Sequence, residues 1–134
     1  MESSSPAHVL VVAHKTAATP ALLAAIRDRA ERGPCWFHLL VPRPEGRQGN
    51  EEGELVLADA LPRMEEAAHR PVDGSVSIRH DPMDAIDEAL ANDQFDEIIL
   101  STLPRGLSRW LHLDLPRRVA HLGLPVTTVI AGED

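Results

Sequence analysis

The chain has 134 residues, 43% hydrophobic and 25% charged, which is the size and make-up of one globular domain with one core. Its net charge of −8 argues against coating nucleic acid, which depends on neutralising phosphates, and two Phe, two Trp and no Tyr leave little for base stacking. A single cysteine, Cys35, excludes an intrachain disulfide and a Cys-rich zinc site, and no apolar run approaches the ~20 residues of a membrane helix.

Residues 1–6 are polar and carry no basic-then-apolar signal pattern, so the expectation is a cytoplasmic protein with no membrane partner. One domain is expected over 1–134, with flexible ends at 1–7 and 131–134. HVLVVA (8–13) is short and nearly all apolar, as in a strand covered on both faces. Thr19 is placed to cap a helix with Pro20 at its first position; Leu22, Leu23, Ile26 and Ala30 recur at helical spacing, and Gly33-Pro34 ends it. CWFHLLV (35–41) is a second strand, with Cys35 as a small core residue. Residues 42–53 hold two Pro and three Gly and predict a loop longer than usual. The stretch 54–69 is helical in composition, but Pro62 predicts a kink or two short helices.

Gly74 opens SVSIR (75–79), a third strand. Asp81-Pro82 repeats the cap-and-proline start, and Met83, Ile86 and Leu90 mark a helix ending near Asn92. EIIL (97–100) is a fourth strand, followed by an irregular stretch or short helical turn over 101–113. Asp114 and Pro116 begin a helix that Gly123 ends, and VTTVI (126–130) is a fifth strand. Five apolar strands alternating with helices predict an open α/β sandwich on a parallel sheet; the alternative is a mixed α+β domain with an antiparallel pair.

In such sheets ligands bind beyond the carboxyl ends of the strands where the strand order reverses. For the order 3-2-1-4-5, that point lies between loops 14–19 and 101–114. The first loop offers His14, Lys15, Thr16 and Thr19; the second offers Ser101, Thr102, Arg105, Ser108, Arg109 and His112. Residues 101–121 carry a net +3 while the rest of the chain carries −11, and such a basic island predicts a small-anion site. Arg117 and Arg118 are read as a solvated helix face.

Three stretches carry a family resemblance: VLVVAHKT (9–16), HDPMDAIDEA (80–89) and DEIILSTLPRGLSRWLHLDLPRRVAHLGLPVTTV (96–129). Together they resemble the universal stress protein family over nearly the whole chain, 8–130. The resemblance implies a doubly wound, three-layer, adenine nucleotide alpha hydrolase-like fold with a five-stranded parallel sheet in the order 3-2-1-4-5. It implies homodimers through the last strand, here Val126, Thr127, Thr128, Val129 and Ile130. It also implies ATP or related adenine nucleotides as ligands in many members, and stress-linked regulatory roles.

Departures from the family pattern are concentrated in the phosphate loop. Nucleotide-binding members carry G-x2-G-x9-G-[ST]. Here Ser101 takes the first position, the second falls at or beside Pro104, Gly106 is the only glycine of the loop, and Leu113-Asp114 replaces the final pair. Loop glycines let backbone amides approach phosphate, and proline has no amide. The acidic residue that contacts the nucleoside is replaced by His14. Two readings follow. In one, side chains of Ser101, Thr102, Arg105 and Arg109, with Gly106 and Asp114 in the same loop, make a phosphate site, and His14, Lys15 and Thr16 face the nucleoside. In the other, no nucleotide binds and the domain is a dimeric interaction module, with Trp110 as a core or interface anchor.

Other chemistry is weaker. The seven histidines are scattered, with no HExxH. Only His14, His80 and His112 could converge on zinc, and His80 ends a strand two positions from the first, so no metal is expected. A Ser101–His14–Asp114 hydrolytic set is imaginable but nothing fixes its geometry; the protein is expected not to be an enzyme.

Overall fold

The computed structural model describes residues 6–43 and 49–132. Ten elements follow in order: β1 Ala7–Val12, α1 Pro20–Glu31, β2 Cys35–Val41, α2 Gly49–Ala68, β3 Val72–Val76, α3 Pro82–Asn92, β4 Glu97–Thr102, α4 Arg109–His112, α5 Leu115–Ala120 and β5 Val126–Ile130. The five strands form one sheet in the order β3-β2-β1-β4-β5, and every pairing is parallel. This is the expected doubly wound arrangement.

Alternation along the central strands divides the core in two. Val9, Val11, Phe37 and Leu39 face α1 and α2, where Leu22, Ile26 and Met64 meet them. Leu10, Val12, Leu40, Ile98 and Leu100 face α3 and α5, where Ile86, Leu115 and Val119 meet them. Successive strand side chains point to opposite faces, so a near-continuous apolar run is what a twice-covered strand requires.

The starts of α1 and α3 follow the sequence signals. Thr19 Oγ1 accepts from Leu22 N at 3.4 Å, with Pro20 in the first turn. Asp81 accepts from Met83 N at 2.8 Å and Asp84 N at 3.3 Å, with Pro82 following. Asp114 precedes α5 in the left-handed region at φ 59° and makes no capping bond.

Three expectations need correction. Residues 49–53 of the expected 42–53 loop belong to α2, and 44–48 lie outside the described residues. α2 is not divided at Pro62: it runs through as one helix. Burial of Leu57, Ala60, Met64, Ala67 and Ala68 along one face outweighs the backbone bond that an exposed proline forfeits. β3 lies three residues earlier than 75–79, because Gly74 is inside the strand instead of opening it. At the ends, Ala7 N donates to Pro34 O at 3.1 Å and Ala131 N to Thr102 O at 2.9 Å, so both residues are tied to the sheet; 1–5 and 133–134 lie outside the described residues.

A Pro62→Ala variant is expected to be more stable by about 2 kcal/mol. Interior proline costs a helix ~3 kcal/mol relative to alanine, and the freer unfolded chain returns ~0.4–1 kcal/mol of that. Urea denaturation checks this; an unchanged or lower midpoint would contradict it.

Candidate functional site

The carboxyl ends of β1 and β4 lie side by side, with Val12 paired to Leu100. After β1 the chain turns tightly: Ala17 N donates to His14 O at 3.3 Å, and Thr19 Oγ1 to Thr16 O at 3.0 Å. Thr16 and Ser101 are both buried, and their hydroxyls meet at 2.7 Å. This bond ties the β1–α1 turn to the end of β4. Thr102 Oγ1 donates to Leu103 O at 3.2 Å, and Ser108 caps α4 by accepting from Leu111 N at 3.1 Å. β4 extends through Thr102, so Ser101 and Thr102 are strand residues, set rigidly in the floor.

A cavity of about 320 Å³ opens over this floor. The β1–α1 turn contributes His14, Lys15 and Thr16; the exit of β2 contributes Pro42 and Arg43; and the β3–α3 loop contributes His80. β4 and its loop contribute Ser101, Thr102, Leu103, Leu107, Ser108, Arg109 and Trp110. The volume is at the lower end of the ~300–1,000 Å³ range of small-molecule sites. Every ionisable lining residue is basic: His14, Lys15, Arg43, His80 and Arg109. In a chain of net charge −8, this concentrates positive potential at one place.

Hydrogen bonds set which tautomer the neutral form of each histidine takes. His14 Nε2 lies 2.9 Å from Glu52 Oε2 of α2. A carboxylate only accepts, so Nε2 carries the proton and Nδ1 is an acceptor. His80 Nδ1 lies 3.1 Å from Arg43 O, so by the same logic its Nε2 is an acceptor. Arg43 N donates to Arg79 O at 2.8 Å, so the exits of β2 and β3 are joined on both sides of this residue. Among the described residues, Arg43 Nε is a buried nitrogen with no hydrogen-bond partner. An unmatched buried donor costs about 1–3 kcal/mol, more for a charged group, and an acceptor in the cavity would relieve it. The cavity therefore presents cationic donors, two imidazole acceptors and an apolar side made by Leu103, Leu107 and Trp110.

The expected site residues separate into two groups. His14, Lys15, Thr16, Ser101, Thr102 and Arg109 line the cavity together. Arg105, Gly106 and Asp114 do not. Arg105 lines a different groove, with Pro20, Ala21, Ala24, Ala25 and Asp28 of α1's side and Thr128, Val129 and Ile130 of β5. Gly106 adopts φ +89° in the turn that closes with Leu107 N donating to Pro104 O at 3.0 Å. Asp114 faces Arg117 at 3.7 Å, with both side chains mostly exposed. Arg43 and His80 were outside the two loops singled out from the sequence. The missed signal is the strand order itself: β2 neighbours β1, so its exit also reaches the crevice.

The imagined Ser101–His14–Asp114 set is not assembled, since its members bond to Thr16, Glu52 and Arg117 respectively. His14 and His80 share the cavity, but His112 is not in its lining. Among the described residues no group of three His, Cys, Asp or Glu is placed to hold a metal, and no helix is long and apolar enough to cross a membrane.

No protein-family model matches the sequence, and no curated protein does. Solved structures do match. A universal stress protein from Archaeoglobus fulgidus aligns with TM-score 0.66 and 17% identity, covering 94% of this chain and 99% of that one. A universal stress protein family member from Burkholderia pseudomallei aligns with TM-score 0.66 and 18% identity, covering 96% and 98%. The Archaeoglobus fulgidus universal stress protein in complex with dAMP aligns with TM-score 0.61 and 17% identity, covering 93% and 98%. This chain has the universal stress protein fold.

Proposed function

We propose that this protein is a small regulatory domain of the universal stress protein type. In this reading it binds an adenine nucleotide, or another small phosphate-bearing ligand, in the crevice between β1 and β4. The observation that carries this reading is the all-basic ionisable lining of a cavity at the strand-order reversal, in an acidic chain. Lys15, Arg43 and Arg109 supply charge for phosphate. His14 Nδ1 and His80 Nε2 are acceptors suited to ribose hydroxyls or an exocyclic amine. Trp110, Leu103 and Leu107 offer an apolar side to the base. The dAMP complex of a protein of the same fold supports a nucleotide as the ligand class.

Thermal-shift titration with AMP, ADP, ATP, cyclic AMP and inorganic phosphate tests the reading. A ligand at 100 times its dissociation constant stabilises by about 2.7 kcal/mol, a shift of several degrees for a chain of this length. No shift from any of them at millimolar concentration would overturn it.

A second property rests on β5, the edge strand beyond β4. We propose that it pairs with its equivalent in a second copy. Ile98 N donates to Pro125 O and Ala131 N to Thr102 O, so odd-numbered residues of β5 turn their backbone groups toward β4. The alternation of a parallel ladder leaves Val126, Thr128 and Ile130 with outward-facing N–H and C=O groups. Thr128→Pro removes an outward donor only, the position where a strand tolerates proline. Such a variant is expected to remain folded and to sediment as a monomer, against a dimeric parent. A monomeric parent at high concentration would contradict this.

A further inference from the structure

A second constellation lies outside the crevice, at the far edge of the sheet on the side covered by α3. His38 of β2 stands opposite Asp73 of β3 in the parallel register. Asp73 and Ser75 are two residues apart, so their side chains share one face of β3. His38 reaches both. Its Nδ1 is 2.9 Å from Asp73 Oδ1 and its Nε2 is 2.9 Å from Ser75 Oγ.

Chemistry assigns the protons. A carboxylate only accepts, so Nδ1 carries the imidazole hydrogen and donates it to Asp73. Nε2 of the neutral ring is then a lone pair, and the Ser75 hydroxyl must donate to it. This is the arrangement of a serine activated by an imidazole base that a carboxylate orients. All three residues are on paired strands, which hold such geometry more firmly than loops do. The tilted ring of Phe95 lies 6.1 Å from the imidazole and flanks it.

We propose that Ser75, His38 and Asp73 form a nucleophilic site for acyl transfer from small neutral carboxylic esters. Ser75 is exposed, and the groove beside it has a volume of about 310 Å³. Leu40, Ala85, Ala89 and Phe95 give that groove an apolar wall suited to a short acyl or aryl group. Glu88 and Asp93 line it as well and disfavour an anionic substrate. Asn92, also in the lining, carries the carboxamide donor that a developing oxyanion calls for.

The step balances within these groups. Ser75 Oγ bonds to the ester carbonyl carbon as its proton passes to His38 Nε2, and the carbonyl pair moves onto oxygen. Collapse breaks the bond to the alkoxide, which leaves as the alcohol with the proton from His38. Water then adds to the acyl-serine, again giving its proton to His38, and the carboxylic acid departs with Ser75 restored. Asp73 is a positioning residue. Its side chain is 82% exposed, so its removal is expected to cost less than the ~10⁴-fold seen where the carboxylate is buried.

The test uses the full chain with p-nitrophenyl acetate and, separately, a fluorophosphonate, followed by intact-mass measurement and peptide mapping. One acyl or phosphonyl group per chain is expected, on Ser75, and none in Ser75→Ala. His38→Gln is expected to lower the labelling rate ~10²-fold or more, the scale of a general base. Asp73→Asn is expected to lower the rate with an unchanged melting temperature, which a purely structural role would not produce. No label on Ser75, label on another residue only, or a rate unaffected in His38→Gln with its fold intact would each overturn the proposal. Because the histidine variant could perturb packing, Ser75→Cys provides a second arm: reaction with iodoacetamide faster than in Ser75→Cys/His38→Gln supports activation by the imidazole, and equal rates contradict it.

Discussion

Arg43→Ala and Arg109→Ala are each expected to weaken AMP binding by about 10- to 100-fold, and Arg105→Ala to leave it unchanged. Hydrogen bonds to charged groups contribute about 1.5–3 kcal/mol, and each 1.4 kcal/mol is a factor of ten in affinity. Arg43 has a buried Nε without a partner among the described residues, and both it and Arg109 line the crevice. Arg105 is three residues beyond β4 and four before Arg109, yet it lines the groove between α1 and β5. A charge-counting account of residues 101–121 would weight Arg105 and Arg109 equally. The geometry separates them. Calorimetric titration of the three variants decides; equal losses in Arg105→Ala and Arg109→Ala would show that long-range charge, and not contact, governs binding.

Gly74→Val is expected to destabilise the fold by about 1–3 kcal/mol, although valine is the better strand former. A Cβ at this position would stand 2.8 Å from Leu57 Cδ2 and 2.9 Å from Leu39 O. The leucine methyl can give way. The carbonyl belongs to the neighbouring strand and cannot move without opening the β2–β3 pairing. Strand propensity spans only ~1 kcal/mol in total, so the clash prevails. α2 makes a second close approach to the same strand, where a Cβ on Gly53 would stand 2.7 Å from Val76 Cγ1. These two glycines let the helix lie down on β3, and urea denaturation of Gly74→Val measures how much that contact contributes. A midpoint equal to or above the parent's would contradict the packing account.

Where local signals and tertiary packing agree, the chain is legible. β2 and β5 have the residues that their apolar runs predict, and Thr19-Pro20 and Asp81-Pro82 start helices as their chemistry requires. Gly74 misled because glycine marks a turn by itself and a close approach only when Leu57 and Leu39 are present above and beside it. Pro62 misled because its local penalty is smaller than the burial gained along the length of α2. His14, Lys15, Thr16, Ser101, Thr102 and Arg109 could be placed in one crevice because strand order alone puts their loops together. Arg105 could not be excluded from it, because the direction of one side chain in a turn is not a property of the pattern. The contact of His38 with Asp73 and Ser75 depends on β3 beginning at Val72, three residues before the strand that the sequence predicts, and on its register with β2.

The central claim is that side chains, in place of loop glycines, make a small-anion site at the β1–β4 crevice. Amide chemical-shift mapping of the full chain during titration with AMP tests it most directly. The account predicts saturable shifts concentrated at residues 14–16, 43, 80, 101–103 and 107–110, with Arg105→Ala reproducing the parent pattern. Saturable shifts confined to β5 and α1, or none at millimolar AMP or phosphate, would contradict it.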